Sequence, residues 1–135
     1  MANKVYPKFK KAATTGGAST NLLTSTVKVC LVADGYTYSD AHEFLSDIPS
    51  GDQAAISGAL TGKAVTDLGA FQTANGRFDS VSSTEDKALV LFADTGVPAT
   101  SRLIAYLDTS VTGLPVTPAG ASYNIVVDPA GWFVL

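Results

Sequence analysis

The 135-residue chain has one cysteine, one histidine, one tryptophan and one methionine, and only 16% of its residues carry charge. Each scarcity removes a class of function. A single cysteine, Cys30, excludes an internal disulfide framework and any cysteine-cluster zinc site. With His42 as the only histidine, a Ser-His-Asp triad would arise only by accident, and no G-x-S-x-G elbow is present. No apolar run approaches the 18 or so residues of a membrane span, and no apolar segment follows the N-terminal lysines as in a secretory leader. A free thiol and no leader predict synthesis in a reducing cytoplasm. "LTGKAVT" has the Gly-Lys of a phosphate-binding loop, but Ala64 stands where a magnesium-binding Ser or Thr belongs, and Ser57 replaces the first glycine. "TTGGAST" follows no strand, so it is not a dinucleotide-binding turn. No pair of carboxylates stands apart from ordinary turn and cap acids. The chain is therefore read as non-enzymatic, with no catalytic residue, cofactor or metal ion.

What is present is small, apolar and β-branched. Hydrophobic residues make up 46% of the chain, which is rich in Ala, Val, Thr, Ser and Gly. Such a composition suits strands packed on strands, or a surface that meets other protein. At this length a single domain can bury about two-thirds of its unfolded surface, enough for a core without staples.

Charge is uneven. Lys4, Lys8, Lys10 and Lys11 lie in the first eleven residues with no acid among them; removing those four charges takes the net from −3 to −7 for residues 12–135. Four lysines without interleaved arginines or aromatics are a weak nucleic-acid signal, and nucleic acid is not the expected partner. The spacing predicts a short helix from Pro7, ended by Gly16 and Gly17, with Val5, Phe9, Ala12 and Ala13 on one face. "ASTNLLTST" reads as a flexible polar connector. Residues 1–25 are thus an N-terminal arm and connector, and 26–135 a single β-rich domain.

"TVKVCLVAD" is the first strand, with Val27, Val29 and Leu31 on one face and Lys28, Cys30 and Val32 on the other. Cys30, with no recognisable base, is a packing residue rather than a nucleophile. A meander follows over residues 57–81, with a hairpin turn at Asn75-Gly76. "KALVLFAD", apolar on both faces, is a buried central strand, and "SRLIAYLD" pairs with it. Asp128-Pro129-Ala130-Gly131 fits a type I turn joining 123–127 to 132–135 in a terminal hairpin. Seven or eight short strands with Gly/Pro turns predict a mainly β chain, an antiparallel sandwich or small barrel.

The one stretch that raises a chemical question is "YSDAHEFLSD", where His42 sits among Asp40, Glu43 and Asp47. Ala41, Phe44, Leu45 and Ile48 follow helical spacing, Asp40 and Glu43 make a capping pattern, and Pro49 stops continuation. The expectation is one short capped helix over 40–48 whose polar face binds no metal. The alternative needs His42 and two carboxylates to converge, yet on a helix His42 lies about 100° from the Glu43/Asp47 face.

Three segments, "VYPKFKKAA", "TVKVCLVADGYTYSDAHEFLSDIP" and "ALVLFADTGVPATSRLIAYLDTSVTGLPVTPAG", with a closing "AGWFVL", resemble a group of small virion structural proteins of tailed bacteriophages, regarded as head decoration or cement proteins. The likeness spans most of the chain and is weakest at residues 52–84. It implies a capsid decoration protein on the outside of the head in the virion, with the major capsid protein as partner and a homotrimeric assembly. An N-terminal arm ordering on a neighbour would extend such a protein's clamp on the capsid, with Val5, Tyr6 and Phe9 as the candidate anchors and Lys8, Lys10 and Lys11 steering toward acidic capsid patches. A tail or head–tail connector component is the alternative in the same class. A glycan-binding β-sandwich, suggested by Tyr36, Tyr38 and Trp132, is the alternative from another.

Overall fold

The structure, a computed structural model, describes residues 4–18, 20–67, 69–74, 76–78, 86–107, 123–125 and 132–134. In chain order its first elements are β1 (Lys4–Val5), α1 (Pro7–Thr14), β2 (Thr26–Ala33) and β3 (Gln53–Ile56). Short strands β4 (Ala64–Val65), β5 (Ala70–Gln72) and β6 (Gly76–Phe78) follow. The long pair β7 (Asp86–Asp94) and β8 (Arg102–Leu107) comes next, then β9 (Tyr123–Ile125) and β10 (Phe133–Val134). The chain is mainly β, and its largest unit is an antiparallel five-stranded sheet in the order β1-β8-β7-β2-β3.

β2 and β7 form the middle of that sheet because they are apolar on both faces. Val27, Val29 and Leu31 are buried on one side of β2, Cys30 and Val32 on the other, and Ala88 to Ala93 of β7 are all buried. The two strands pair from Thr26↔Asp94 to Ala33↔Asp86. Lys28, the charged residue of β2, reaches Asp94 at 2.8 Å near the sheet end. β8 pairs with β7 on the far side, as expected from "SRLIAYLD", and is buried along its whole length. Cys30 is buried inside this core and forms no disulfide, a packing residue as expected.

Several expectations are corrected. β4 and β5 do form a hairpin, but β6 leaves it and pairs with β9. Gly76 therefore lies within a strand rather than in a turn; Asn75 is outside the described residues. The two flanks of the expected terminal hairpin do not pair with each other: β9 joins β6, whereas β10 joins β5. Its turn, residues 128–131, is outside the described residues. A good local turn sequence cannot decide which distant edge offers the better apolar partner, and here Phe71 and Phe78 sit in the same buried cluster as Trp132.

The connector is not loose. The Arg102 Nε–H donates to the Ala18 carbonyl at 2.8 Å, Asn21 closes a turn onto the Leu23 and Ser25 amides, and Leu22 is buried. Lys63 donates to the Ser25 carbonyl, a structural use of the Gly-Lys pair.

The arm is corrected most. Helix α1 starts at Pro7 and ends with Gly16 at φ +76° and the Gly17 amide on the Ala12 carbonyl, as the sequence predicts. Its apolar face, however, is docked on the chain's own body. Tyr6 is fully buried and Phe9 nearly so, both within the main core cluster. β1 adds a strand to β8, with Lys4 opposite Tyr106 and Val5 opposite Ala105, and the Tyr6 amide donates to the Ile104 carbonyl at 2.9 Å. Two large aromatics with a core within reach gain more by burial there than in water. Residues 4–14 form a strap on the sheet. Among the described residues no helix is long and apolar enough to cross a membrane.

Candidate functional site

The stretch around His42 is not a helix. Residues 36–39 have no regular secondary structure, the His42 amide closes a turn on the Ser39 carbonyl, and Phe44 is extended at φ −124°, ψ 162°. Only Leu45–Asp47 coil, as a single 3₁₀ turn. The cause is the open edge of β8. The Leu103 amide donates to the Glu43 carbonyl at 2.9 Å and the Leu45 amide to the Ser101 carbonyl at 2.8 Å, with Phe44 bridging Arg102. A two-turn helix would forfeit these bonds, and so short a helix has little stability of its own. The apolar spacing still finds a use, because Leu45 and Ile48, three apart, are both buried by a 3₁₀ turn while Ala41 is exposed. Nor do Asp40 and Glu43 provide the expected cap. Asp47 Oδ2 instead accepts the Glu43 and Phe44 amides at 2.8 and 3.0 Å. Burial would push this carboxyl up, but those two bonds and the nearby His42 and Lys8 outweigh it and hold it below the usual carboxylate range.

The β8 edge is therefore closed in two halves. Lys4 to Tyr6 cover Ile104 to Tyr106, and Glu43 to Leu45 cover Ser101 to Leu103. An edge left bare would be a template for another strand. A chain of hydrogen bonds ties one half to the other: Tyr6 Oη to Tyr36 Oη at 2.9 Å, and Tyr36 Oη to His42 Nδ1 at 2.8 Å. Burial raises both tyrosines, Tyr36 to about 12 and Tyr6 further, so both remain neutral hydroxyls at physiological pH. Tyr38 packs its ring against Tyr6 and Tyr106, donates to Asp40 at 2.7 Å, and receives Lys4 over its face at 5.3 Å. Arg102, buried at the start of β8, holds the second half: its guanidinium lies 5.2 Å from the Phe44 ring centroid and 3.3 Å from Glu43 Oε2.

This accounts for the residues singled out from sequence. His42 is engaged with Tyr36, and among the described residues no three His, Cys, Asp or Glu side chains gather as a metal-ion set. Tyr36 and Trp132 are buried, Trp132 with its indole N–H on Thr73 Oγ1 at 2.8 Å, so neither offers a ring face for sugar stacking. Of the proposed partner-binding residues, Tyr6 and Phe9 are spent on the core and Val5 is half-buried in β1. Lys8, Lys10 and Lys11 are exposed on the outer side of α1. The loop at residues 95–101 is strongly hydrogen-bonded. Buried Ser101 donates to the Val97 carbonyl, and Asp94 accepts the Gly96 amide. Residues 109–120 lie outside the described residues.

Sequence reasoning missed Arg102 and the tyrosine relay. A single arginine opening an otherwise apolar strand was the signal for the first. Nothing local signals that Tyr6 and Tyr36, thirty residues apart, are hydrogen-bonded. No known protein-family model matches the chain, and a search of curated proteins likewise finds no match.

Proposed function

We propose that the chain is a non-enzymatic virion structural protein of a tailed bacteriophage, a decoration protein that binds the outside of the head and stabilises it. The observation that carries this reading is the resemblance of the N-terminal, central and "ALVLFADTGVPATSRLIAYLD" segments to that group. The physical picture supports it. A protein that clamps capsid subunits needs a stiff body and an adhesive surface, and the polar groups of the one chemically suggestive stretch are engaged in fastening loops to β8. Lys8, Lys10 and Lys11 stand on a helix that is itself fixed to the body, presenting positive charge against an otherwise acidic chain. They meet acidic patches of the major capsid protein, and three copies cluster at each site. This contact is electrostatic and pre-shaped, in place of a mobile arm.

The test mixes purified protein with mature and emptied phage heads and views the particles by electron microscopy. Regular added density on heads is expected. Reversing Lys8, Lys10 and Lys11 to Glu should weaken attachment more at low salt than at high, because exposed charges are screened beyond about 10 Å at 0.1 M. Density only on tails, or none, refutes the reading.

A further inference from the structure

The β8 edge is shared by two segments that are distant in sequence, and the only side-chain hydrogen bonds joining the strap to residues 34–44, among the described residues, run through Tyr36. We propose that Tyr6, Tyr36 and His42 form a pH-sensitive latch, holding the N-terminal strap on β8 while His42 is neutral and loosening it when His42 takes up a proton. This goes beyond the decoration reading and does not depend on it.

Counting protons gives the reason. Two links join the three groups, and each link uses one proton. With His42 neutral and its Nδ1 unprotonated, Tyr6 donates to Tyr36 and Tyr36 donates to His42, so both hydroxyl protons and Nδ1 are satisfied. A proton on Nδ1 makes three protons for the same two links. His42 must then donate to Tyr36, and either Tyr6 or Tyr36 is left with a hydroxyl proton and no acceptor. Tyr6 is fully buried and Tyr36 is 1% exposed, so water does not replace the lost partner. A buried donor without an acceptor is unfavourable, and the relief available is for Tyr6 to leave its site. Tyr6 is also the pivot of the strap: its amide bonds Ile104, and its carbonyl accepts the Phe9 and Lys10 amides that begin α1.

Among the described residues, the Tyr6 and Tyr36 hydroxyls form no hydrogen bond beyond these two links. Asp47 faces His42, and its Oδ2 is already taken by two amides; Lys8 of α1 faces Asp47 in turn. Asp52 and Cys30 act electrostatically on Tyr36, Tyr106 packs its ring against Tyr36, and Tyr38 packs its ring against Tyr6.

Amide hydrogen exchange of the free protein tests this, with the Tyr6, Phe9 and Lys10 amides as reporters and the amides of β7 as internal reference, each corrected for its intrinsic exchange rate. Between about pH 8 and pH 5, protection of the reporters relative to β7 should fall by at least about fivefold. In His42→Gln, a change at a half-exposed side chain that the fold tolerates, the ratio should stay constant. Tyr36→Phe should also flatten it; where that variant does not fold, His42→Gln alone decides. A fall smaller than about fivefold in the natural chain, or the same fall persisting in His42→Gln, overturns the latch.

Discussion

Replacing Phe9 with alanine separates a strap that belongs to the core from an arm that merely lies on it. Phe9 is 1% exposed and sits in the main cluster with Tyr6, Leu103 and Ile104. Truncating a fully buried phenylalanine costs about 3–5 kcal/mol, the lower end where neighbours can close the gap. Phe9 lies on a single helix at the flank of the sheet, where α1 can settle inward, so about 3 kcal/mol is expected. That is a large part of the 5–15 kcal/mol typical of a domain's total stability. For a chain of this size it lowers Tm by roughly 10–15 °C. Thermal and urea melts followed by circular dichroism measure it, and an unchanged urea slope assigns the change to the folded state. Lys8→Ala, on the exposed side of the same helix, is the control and should stay within about 0.5 kcal/mol. Deleting residues 1–14 should then leave no cooperative transition near the original temperature. A Phe9→Ala protein melting within about 3 °C of the original would refute the assignment of the strap to the core.

Arg102→Met keeps an apolar side chain beside Phe44 but removes the guanidinium over its ring and the charged donor to Ala18, for a loss of about 1.5–3 kcal/mol by urea melts; Glu43→Gln, at its half-exposed partner, should lose less than about 1 kcal/mol. Asp94 is held below the usual carboxylate range, first by Lys28 and then by the Gly96 amide, so its folded pKa is depressed. Its contribution is fully present above the unfolded value near pH 3.9 and is lost as pH falls through the lower folded value. Asp94→Asn should therefore melt below the natural chain at pH 7, with the gap closing below about pH 4. Gly17→Ala would place a Cβ 2.8 Å from the Ala12 Cβ and 3.1 Å from its Cα, so it should lower stability by about 1–3 kcal/mol. Gly51→Ala, which meets nothing within 4 Å, should stay within about 0.5 kcal/mol in the same melts.

The parts of the fold that sequence reveals are those decided by their own residues. β2, β7 and β8 are long and largely apolar on both faces, and any packing that buries them makes a central sheet. Pro7 and the two glycines likewise set the bounds of α1 through local backbone preferences alone. What sequence could not show is which surface a half-apolar segment meets. An amphipathic helix has the same pattern whether its apolar face docks on its own body or on a neighbour, so Phe9 was legible as an anchor and its partner was not. Residues 40–48 carry spacing that fits a helix and also fits one 3₁₀ turn after an edge bridge. The choice was made by Ser101 and Leu103, nearly sixty residues away.

The docked strap changes what attachment to a particle would require. Ordering residues 4–14 at the moment of binding would cost roughly 1–2 kcal/mol per residue of backbone, which only deeply buried anchors could offset. Here that ordering accompanies folding, and Tyr6 and Phe9 are already buried. Lys8, Lys10 and Lys11 then need only side-chain ordering, which favours fast, salt-sensitive association. Apolar contact falls to side chains exposed in the free chain, of which Leu23 and Val97 are about half exposed. Leu23 precedes β2 and Val97 follows β7, and because Thr26 pairs with Asp94 both stand at the same end of the sheet. Lysine charge reversal should therefore act chiefly on the association rate, whereas Leu23→Ser and Val97→Ser should act on dissociation.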